Sequence, residues 1–571
     1  MYRDKLEKVL TKKYGLGLQV VEKADCIEIK GTRDTWTEII DICSFCVGKM
    51  KGKRVVNDLH LKNIEVPKMN MPDIWNKTLE NSHPDVLVIG GGISGASIAR
   101  ELTKWKLKVL LVEKESDLAL QASGRNDGEV HPGVDLKRGS LKQKYVVRGN
   151  QMYDQVCRDL NVPFVRRGQY VGFTDGKMRP LLSVYAFQKK YRCKIKDTKI
   201  VNQKTLRKQE PNLNPEFKFA LYNPSAGCVC PYGLTIAYGE NAMMNGANIQ
   251  LETAVISMEV SNGSIISVQT NKGIIYPKVV INAAGVFAED IAAMAKDRFY
   301  SIHPRRGTNS ILDKKAANNV RTIASIKELG QSQGHTKGGG ILHTVHDNLL
   351  VGPDAVETYE KENVATNQES IDRVFEKQSK TSPHLKKSDI ITYFTGVRAA
   401  TFEEDFVIEP GHQTKNLIHC GGIQSPGLTT APAVAVDVAQ MAVNMLQKDM
   451  HVMENMQFNP KRKGIVAVAQ LPLVERDKRI KENPDYGKII CRCEEISKGE
   501  IIDALNAPLR VETVDGIKRR ARPGMGRCQG GFCLPLVMEI IHEYTGKEFS
   551  TIKKSDNQSC ITYGSTKEAL K

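Results

Sequence analysis

A chain of 571 residues is too long for one hydrophobic core, so about two to four domains are expected. Its 41% hydrophobic and 26% charged residues suit a globular protein, and no run of about 18 apolar residues offers a membrane-spanning helix. The net charge of +17 comes from scattered Lys and Arg without interleaved aromatics; this reads as a solvated basic surface that attracts a small anion, not as a nucleic-acid interface.

The opening MYRDKLEKVLTKKYG has no apolar signal core, so a cytoplasmic protein is expected. Its 13 cysteines are then ligands, redox groups or buried thiols in preference to disulfides. Residues 1–62 form a small α/β unit. CIEIKG alternates as a strand, TWTEIIDICSFCVGKM has helical spacing at Trp36, Ile39, Ile40, Cys43 and Val47, and KRVVNDLHL is a second strand. Cys43 and Cys46 share the apolar helix face and are expected as buried thiols. The order of elements resembles the BON domain, which implies no catalysis. Residues 63–84 include three prolines without periodicity and are expected as a linker.

Residues 85–450 are the main body. In DVLVIGGGISGASIARELTKWKLKVLLVEKE, the apolar run VLVIG suits a buried parallel strand. Gly90, Gly92 and Gly95 then give a tight turn, close approach to a pyrophosphate, and close packing of helix on strand. The helix start at Ile93 and Ser94 presents amides to phosphate. Glu113 closes the next strand, where a carboxylate holds ribose hydroxyls and repels a 2′-phosphate; FAD or NAD therefore fits better than NADP.

The stretches ASGRNDGEVHPGV, VVINAAGVFAEDIA and NLIHCGGIQSPGLTTAPAVA resemble the flavin-contacting segments of the D-amino-acid-oxidase-like FAD superfamily, and within it the glycerol-3-phosphate dehydrogenase/oxidase group. The resemblance implies a Rossmann-like FAD domain interrupted by a mixed-sheet substrate part at about 150–230 and 300–395. It implies cofactor contacts at Lys114, Ser123, Arg125, Asn126, Gly128, Val255, Ala284, Gly285, Gly422, Gly427, Leu428 and Thr429, beside the glycines and Glu113 already named. On the substrate side it implies His131 as the base near the flavin, with Arg398, Lys337 and Ser425 as substrate contacts. Neutral histidine suits removal of an alcohol proton, and two cations suit a phosphate monoester. Glu129 and Gln424 depart from the family pattern, and in HPRRGTN Arg305 is a further candidate anion contact. His343 and His346 are alternative bases that read as alternating strand positions.

Residues 451–484 are expected as a second linker, 485–546 as a compact module and 547–571 as a tail. The module carries Cys491-x-Cys493 and Cys528-x4-Cys533. Ser497-x-x-Glu500 is a capping box opening one helix, and Pro535 begins another that stops at Gly546. Four thiolates at helix starts suit zinc or an iron–sulfur cluster. CRCE and GRCQGGFC resemble the turns of the bacterioferritin-associated-ferredoxin-like (BFD-like) [2Fe–2S] domain, which implies those four cysteines as cluster ligands.

Taken together, the expected fold is a multidomain α/β and α+β protein: an N-terminal α/β unit, the FAD body, and a helical cluster domain. The expected function is FAD-dependent oxidation of sn-glycerol 3-phosphate to dihydroxyacetone phosphate. Electrons are expected to leave through the cluster to a second redox subunit, with dioxygen at most a side acceptor. The resemblance also raises peripheral docking at the inner face of a membrane. The alternatives are an L-2-hydroxyglutarate-type dehydrogenase and a non-catalytic electron-transfer module.

Overall fold

In the computed structural model, which describes residues 2–195, 197–327, 339–564 and 566–569, the apolar run Val86–Ile89 is a fully buried central strand. It lies in a six-stranded sheet ordered Asn248–Gln250, Val109–Val112, Val86–Ile89, Val279–Asn282, Leu417–Gly421 and Val407–Pro410. The first five strands are parallel and the last is antiparallel. Helices Ile93–Leu102 and Gly427–Leu446 cover one face through Ile98, Leu102, Val434 and Val438. A three-stranded sheet over 255–275 covers the other with Val255, Ile265 and Val268. Burial on both faces is why these strands read as unbroken apolar runs.

A second, nine-stranded mixed sheet draws its strands from 169–223 and 302–401. Its longest pair, Ile302–Leu312 with Ile390–Thr401, sets Arg305 opposite Arg398 and Gly307 opposite Gly396. That register puts both arginines on the face toward the first sheet, where the site forms.

The N-terminal unit consists of helix Arg3–Tyr14, strands Gln19–Glu22, Cys26–Arg33 and Arg54–Leu61, and helix Trp36–Cys46. Cys43 and Cys46 are buried in its core, and burial pushes both thiols up, Cys46 to about 12. Its last strand docks on the body: the Val55 amide donates to Glu403 Oε1 at 2.8 Å and the Asn57 amide to Ser301 Oγ at 2.9 Å.

Two segments differ from expectation. The second linker contains the helix Leu473–Glu482, which buries no residue; without an apolar stripe it left no periodic signal. The expected tail folds back instead of hanging free: Ile552 is fully buried, and the carbonyls of Lys553 and Lys554 accept the amides of Val514 and Asp515. Those amides belong to the first turn of helix Val514–Ala521, one of three in the C-terminal unit with Lys498–Leu505 and Leu534–Thr545. The Ser497–Glu500 capping box is present, and Gly546 ends the last helix at φ 72°. No helix among the described residues is long and apolar enough to cross a membrane.

Candidate functional site

A cavity of about 1270 Å³ opens between the two large sheets. Its wall on the dinucleotide side includes Gly92, Ile93, Ser94, Ser123, Arg125, Asn126, Gly285, Gly427 and Leu428; the opposite wall includes His131, Arg305, Arg398 and Ser425. The sequence thus brings most of its expected contacts to one space. Val255 packs in the apolar layer beneath the sheet, and Lys114 is held by Glu115 and Glu362, each at 2.5 Å. Gly128 holds a turn at φ 75°, and Ala284 leads into the cavity-lining Gly285. Lys337 lies outside the described residues.

The nucleotide turn is built by close approach. A Cβ on Gly95 would stand 1.8 Å from the Gly90 carbonyl oxygen, so only glycine lets the helix start lie against the turn. Ser123 Oγ accepts the Ile93 amide at 2.8 Å, fixing the 122–126 loop over the helix start. Glu113 accepts the amides of Gly91 at 2.5 Å and Glu115 at 2.9 Å; burial, then repulsion from Glu115, pushes its carboxyl up.

His131 follows a two-residue strand, Glu129–Val130. Alternation along that strand places the Glu129 and His131 side chains on one face. Glu129 Oε1 lies 3.2 Å from His131 Nδ1 and also receives Gln169 Nε2 at 2.7 Å. A carboxylate only accepts, so Nδ1 carries its proton toward Glu129 and Nε2 is the basic nitrogen. Nε2 lies 3.4 Å from Ser425 Oγ, at the cavity wall. Thr429 fixes the backbone of this segment: its Oγ1 accepts the His131 amide at 2.9 Å and donates to the Glu129 carbonyl at 3.3 Å. From sequence, Glu129 reads only as a departure from a pattern; the E-x-H alternation is the signal that points to its role.

Arg305 is already paired within the protein. Its side chain is 2% exposed, with Nε 2.5 Å from Glu357 and Nη2 2.6 Å from Glu404. Two carboxylates offset its charge, so it braces the wall. Arg398 differs: Nη2 donates to the Asp354 carbonyl at 3.0 Å, and burial, then repulsion from Arg305, pushes its guanidinium down. A half-buried cation on the cavity wall, without a carboxylate ion pair among the described residues, favours an incoming anion. Gly307 makes room for it, since a Cβ there would meet Arg398 Nη2 at 2.2 Å. His343 and His346 do not line the cavity. Gly422, near the Thr401 side chain, lies behind the wall.

The four cysteines stand as two pairs. Cys493 and Cys528 are exposed, the Cys493 thiol donating to the Cys528 sulfur at 3.6 Å, and Cys491 and Cys533 are buried and hydrogen-bonded to each other. The bond from Cys533, with the amides of Gly524 and Glu494, takes the Cys491 thiol down to about 6 despite burial. Among the described residues no three His, Cys, Asp or Glu side chains converge on one metal ion. Two dithiol pairs suit two irons better than one zinc, which takes all four ligands at a single point. A Cβ on Gly526 would stand 2.4 Å from Cys493 Cβ, so glycine is what lets the two ligand turns meet.

Residues 85–441 match the FAD dependent oxidoreductase family, and residues 489–543 match the BFD-like [2Fe-2S] binding domain. A glycerol 3-phosphate dehydrogenase of Caloramator mitchellensis is 38% identical over 487 residues, covering 85% of this chain and 99% of that protein. One subunit of the anaerobic glycerol-3-phosphate dehydrogenase of Escherichia coli (strain K12) is 23% identical over 497 residues, covering 80% of this chain and 88% of that one. Among solved structures, dithionite-reduced L-alpha-glycerophosphate oxidase from Mycoplasma pneumoniae with FAD bound is similar at a TM-score of 0.60 and 26% identity, covering 67% of this chain and 98% of that one. The glycine turn and the paired thiols fit FAD and a [2Fe–2S] cluster as the two cofactors.

Proposed function

The chain belongs to the FAD dependent oxidoreductase family and acts on a CH–OH donor, and from that premise we propose that it oxidises sn-glycerol 3-phosphate to dihydroxyacetone phosphate and hands the electrons to a separate redox protein. The observation that carries the reading is the meeting, in one cavity, of a carboxylate-oriented imidazole and a half-buried arginine that no described carboxylate pairs. Bound FAD supplies a hydride acceptor, and the cluster supplies a one-electron store.

The remaining work falls to the chain. Arg398 takes the phosphate by charge-assisted hydrogen bonds, which fixes one end of the substrate. His131 Nε2 takes the hydroxyl proton, and Glu129 stabilises the imidazolium that forms. Ser425 Oγ, beside Nε2, holds the same hydroxyl in line. Arg305, held by Glu357 and Glu404, keeps the wall rigid behind the reacting centre.

Anaerobic mixing with sn-glycerol 3-phosphate, L-2-hydroxyglutarate and glycerol tests the substrate. The flavin band is expected to bleach with the first alone, with dihydroxyacetone phosphate as product. Bleaching by L-2-hydroxyglutarate and not by glycerol 3-phosphate overturns the assignment. Gly307→Ala is expected to push Arg398 aside and to raise KM about tenfold or more while flavin content stays at the parent level, since a hydrogen bond to a charged group contributes about 1.5–3 kcal/mol. Steady-state kinetics beside a flavin assay reads this; an unchanged KM removes Arg398 from the phosphate.

A further inference from the structure

The seam between the C-terminal unit and the body holds charged side chains that the reaction in the cavity does not use. Arg522 lies one residue past helix Val514–Ala521, at φ 73°. Its Nη1 donates to Tyr232 Oη at 3.2 Å and its Nη2 to Glu494 Oε2 at 3.1 Å. Glu494 follows Cys493, its side chain is 5% exposed, and its other oxygen lies 3.1 Å from Lys314 Nζ. Asp313, next to Lys314, is 2.6 Å from Nε of Arg527, the residue before Cys528. Consecutive body residues thus grip the neighbours of both outer cysteines.

Tyr232 extends the contact inward. It stands in the first turn of helix Pro231–Met244, and a Cβ on Gly124 would lie 3.6 Å from its Cβ. Gly124 lies between Ser123 and Arg125, both on the cavity wall. Hydrogen bonds therefore run from Tyr232, which stands beside the FAD-side loop, through Arg522 and Glu494 to the Cys493 turn.

The charges do not cancel. Arg522 and Lys314 against Glu494 leave one net positive charge, and Asp313 with Arg527 adds none. His346, also in the seam, is kept neutral: burial, then Arg522 and Lys314, take it down to about 2. A partly buried cation beside a thiolate-ligated cluster favours whichever cluster state carries more negative charge.

We propose that Arg522 and Tyr232 are positioning residues that couple the cluster to the flavin. Arg522 raises the cluster's midpoint potential through its charge, and Tyr232 provides the contact by which electrons pass from the FAD-side loop. The inference rests on the proposed electron outlet. In each transfer the flavin loses one electron and the cluster gains it, together with one unit of negative charge.

The test uses the full-length holoprotein. In a dithionite titration followed by electron paramagnetic resonance, Arg522→Gln is expected to shift the flavin–cluster electron equilibrium toward flavin by about tenfold or more, which is 59 mV for a one-electron couple. Arg522→Lys, which keeps the charge, is expected to stay within about threefold of the parent. In rapid mixing with glycerol 3-phosphate, Tyr232→Leu, which removes the oxygen that Arg522 holds, is expected to slow cluster reduction about fivefold, roughly the worth of one net hydrogen bond, with flavin bleaching at the parent rate. Arg522→Gln with a full cluster signal and the parent midpoint overturns the proposal, as does Tyr232→Leu with the parent rate. Should Arg522→Gln lose its cluster, Tyr232→Phe decides: it removes the oxygen that Arg522 holds, and cluster reduction at the parent rate overturns the coupling. If substrate leaves the parent cluster oxidised, the electron outlet fails, while the midpoint of Arg522→Gln still decides the charge effect.

Discussion

His131→Ala is expected to lower the rate of substrate-driven flavin reduction by about 10²–10⁴-fold while the protein still binds FAD, the range for losing a positioned general base. The imidazole is tied down by Glu129 at Nδ1, by Thr429 at its backbone amide and by Asn150 at its carbonyl, so its removal disturbs a local set of bonds and not the fold. Glu129→Gln separates orientation from charge. The amide can still accept from Nδ1 but cannot stabilise the imidazolium, so a loss of about 10- to 100-fold in kcat is expected, with KM near the parent value. Stopped-flow flavin reduction reads both variants. Parent-rate reduction in His131→Ala would turn the reading toward a module that binds FAD without substrate chemistry.

The second large effect is expected at Asp117. This carboxylate is fully buried and receives Arg520 through two bonds, at 2.8 and 3.0 Å, and Arg519 at 3.1 Å. It belongs to the FAD body and the arginines to the cluster unit, so these bonds hold the two together. Asp117→Ala takes from two guanidiniums the carboxylate they share, leaving Arg520 with Glu240 at 3.7 Å, and breaking a buried pair from one side costs about 3–5 kcal/mol. The expected readout is a separate, lower melting transition for the cluster unit and its early release in limited proteolysis. A single transition at the parent temperature would show that the pair does not hold the seam.

The same group gives a pH dependence. Burial raises the Asp117 carboxyl, but Arg520 and then Arg519 outweigh it, so the folded value lies below the unfolded one. The stabilisation is therefore fully present above the unfolded pKa, near 3.9, and is lost as pH falls through the lower folded value. Acid below about pH 4 is expected to loosen the seam in the parent and to have less effect on Asp117→Ala.

What the sequence made legible was local. The strand–glycine–helix–strand run of 85–115 encodes its turn within one short segment, and the cysteine turns announce themselves by spacing and glycine content. Partners far apart in the chain were not legible. Arg305 reads as an anion contact because its two carboxylates lie 52 and 99 residues away. The Asp117–Arg520 bond spans 403 residues, and no pattern at either end predicts it. Glu129 lies between these cases: its alternation with His131 is visible, but its partner Gln169 comes from another strand. The space that Gly307 leaves for Arg398 depends on a register that only the folded sheet supplies.

The central claim is that one chain takes a hydride from glycerol 3-phosphate and stores electrons on its own iron and sulfur. An anaerobic titration with glycerol 3-phosphate, read in the same sample by absorbance and by electron paramagnetic resonance, tests it most directly. The expected result is loss of the oxidised flavin band together with the signal of a reduced [2Fe–2S] centre that is absent when Cys493 and Cys528 are both replaced by serine. A flavin that stays oxidised with this substrate, or a bleached flavin beside a cluster that never turns paramagnetic, would contradict it.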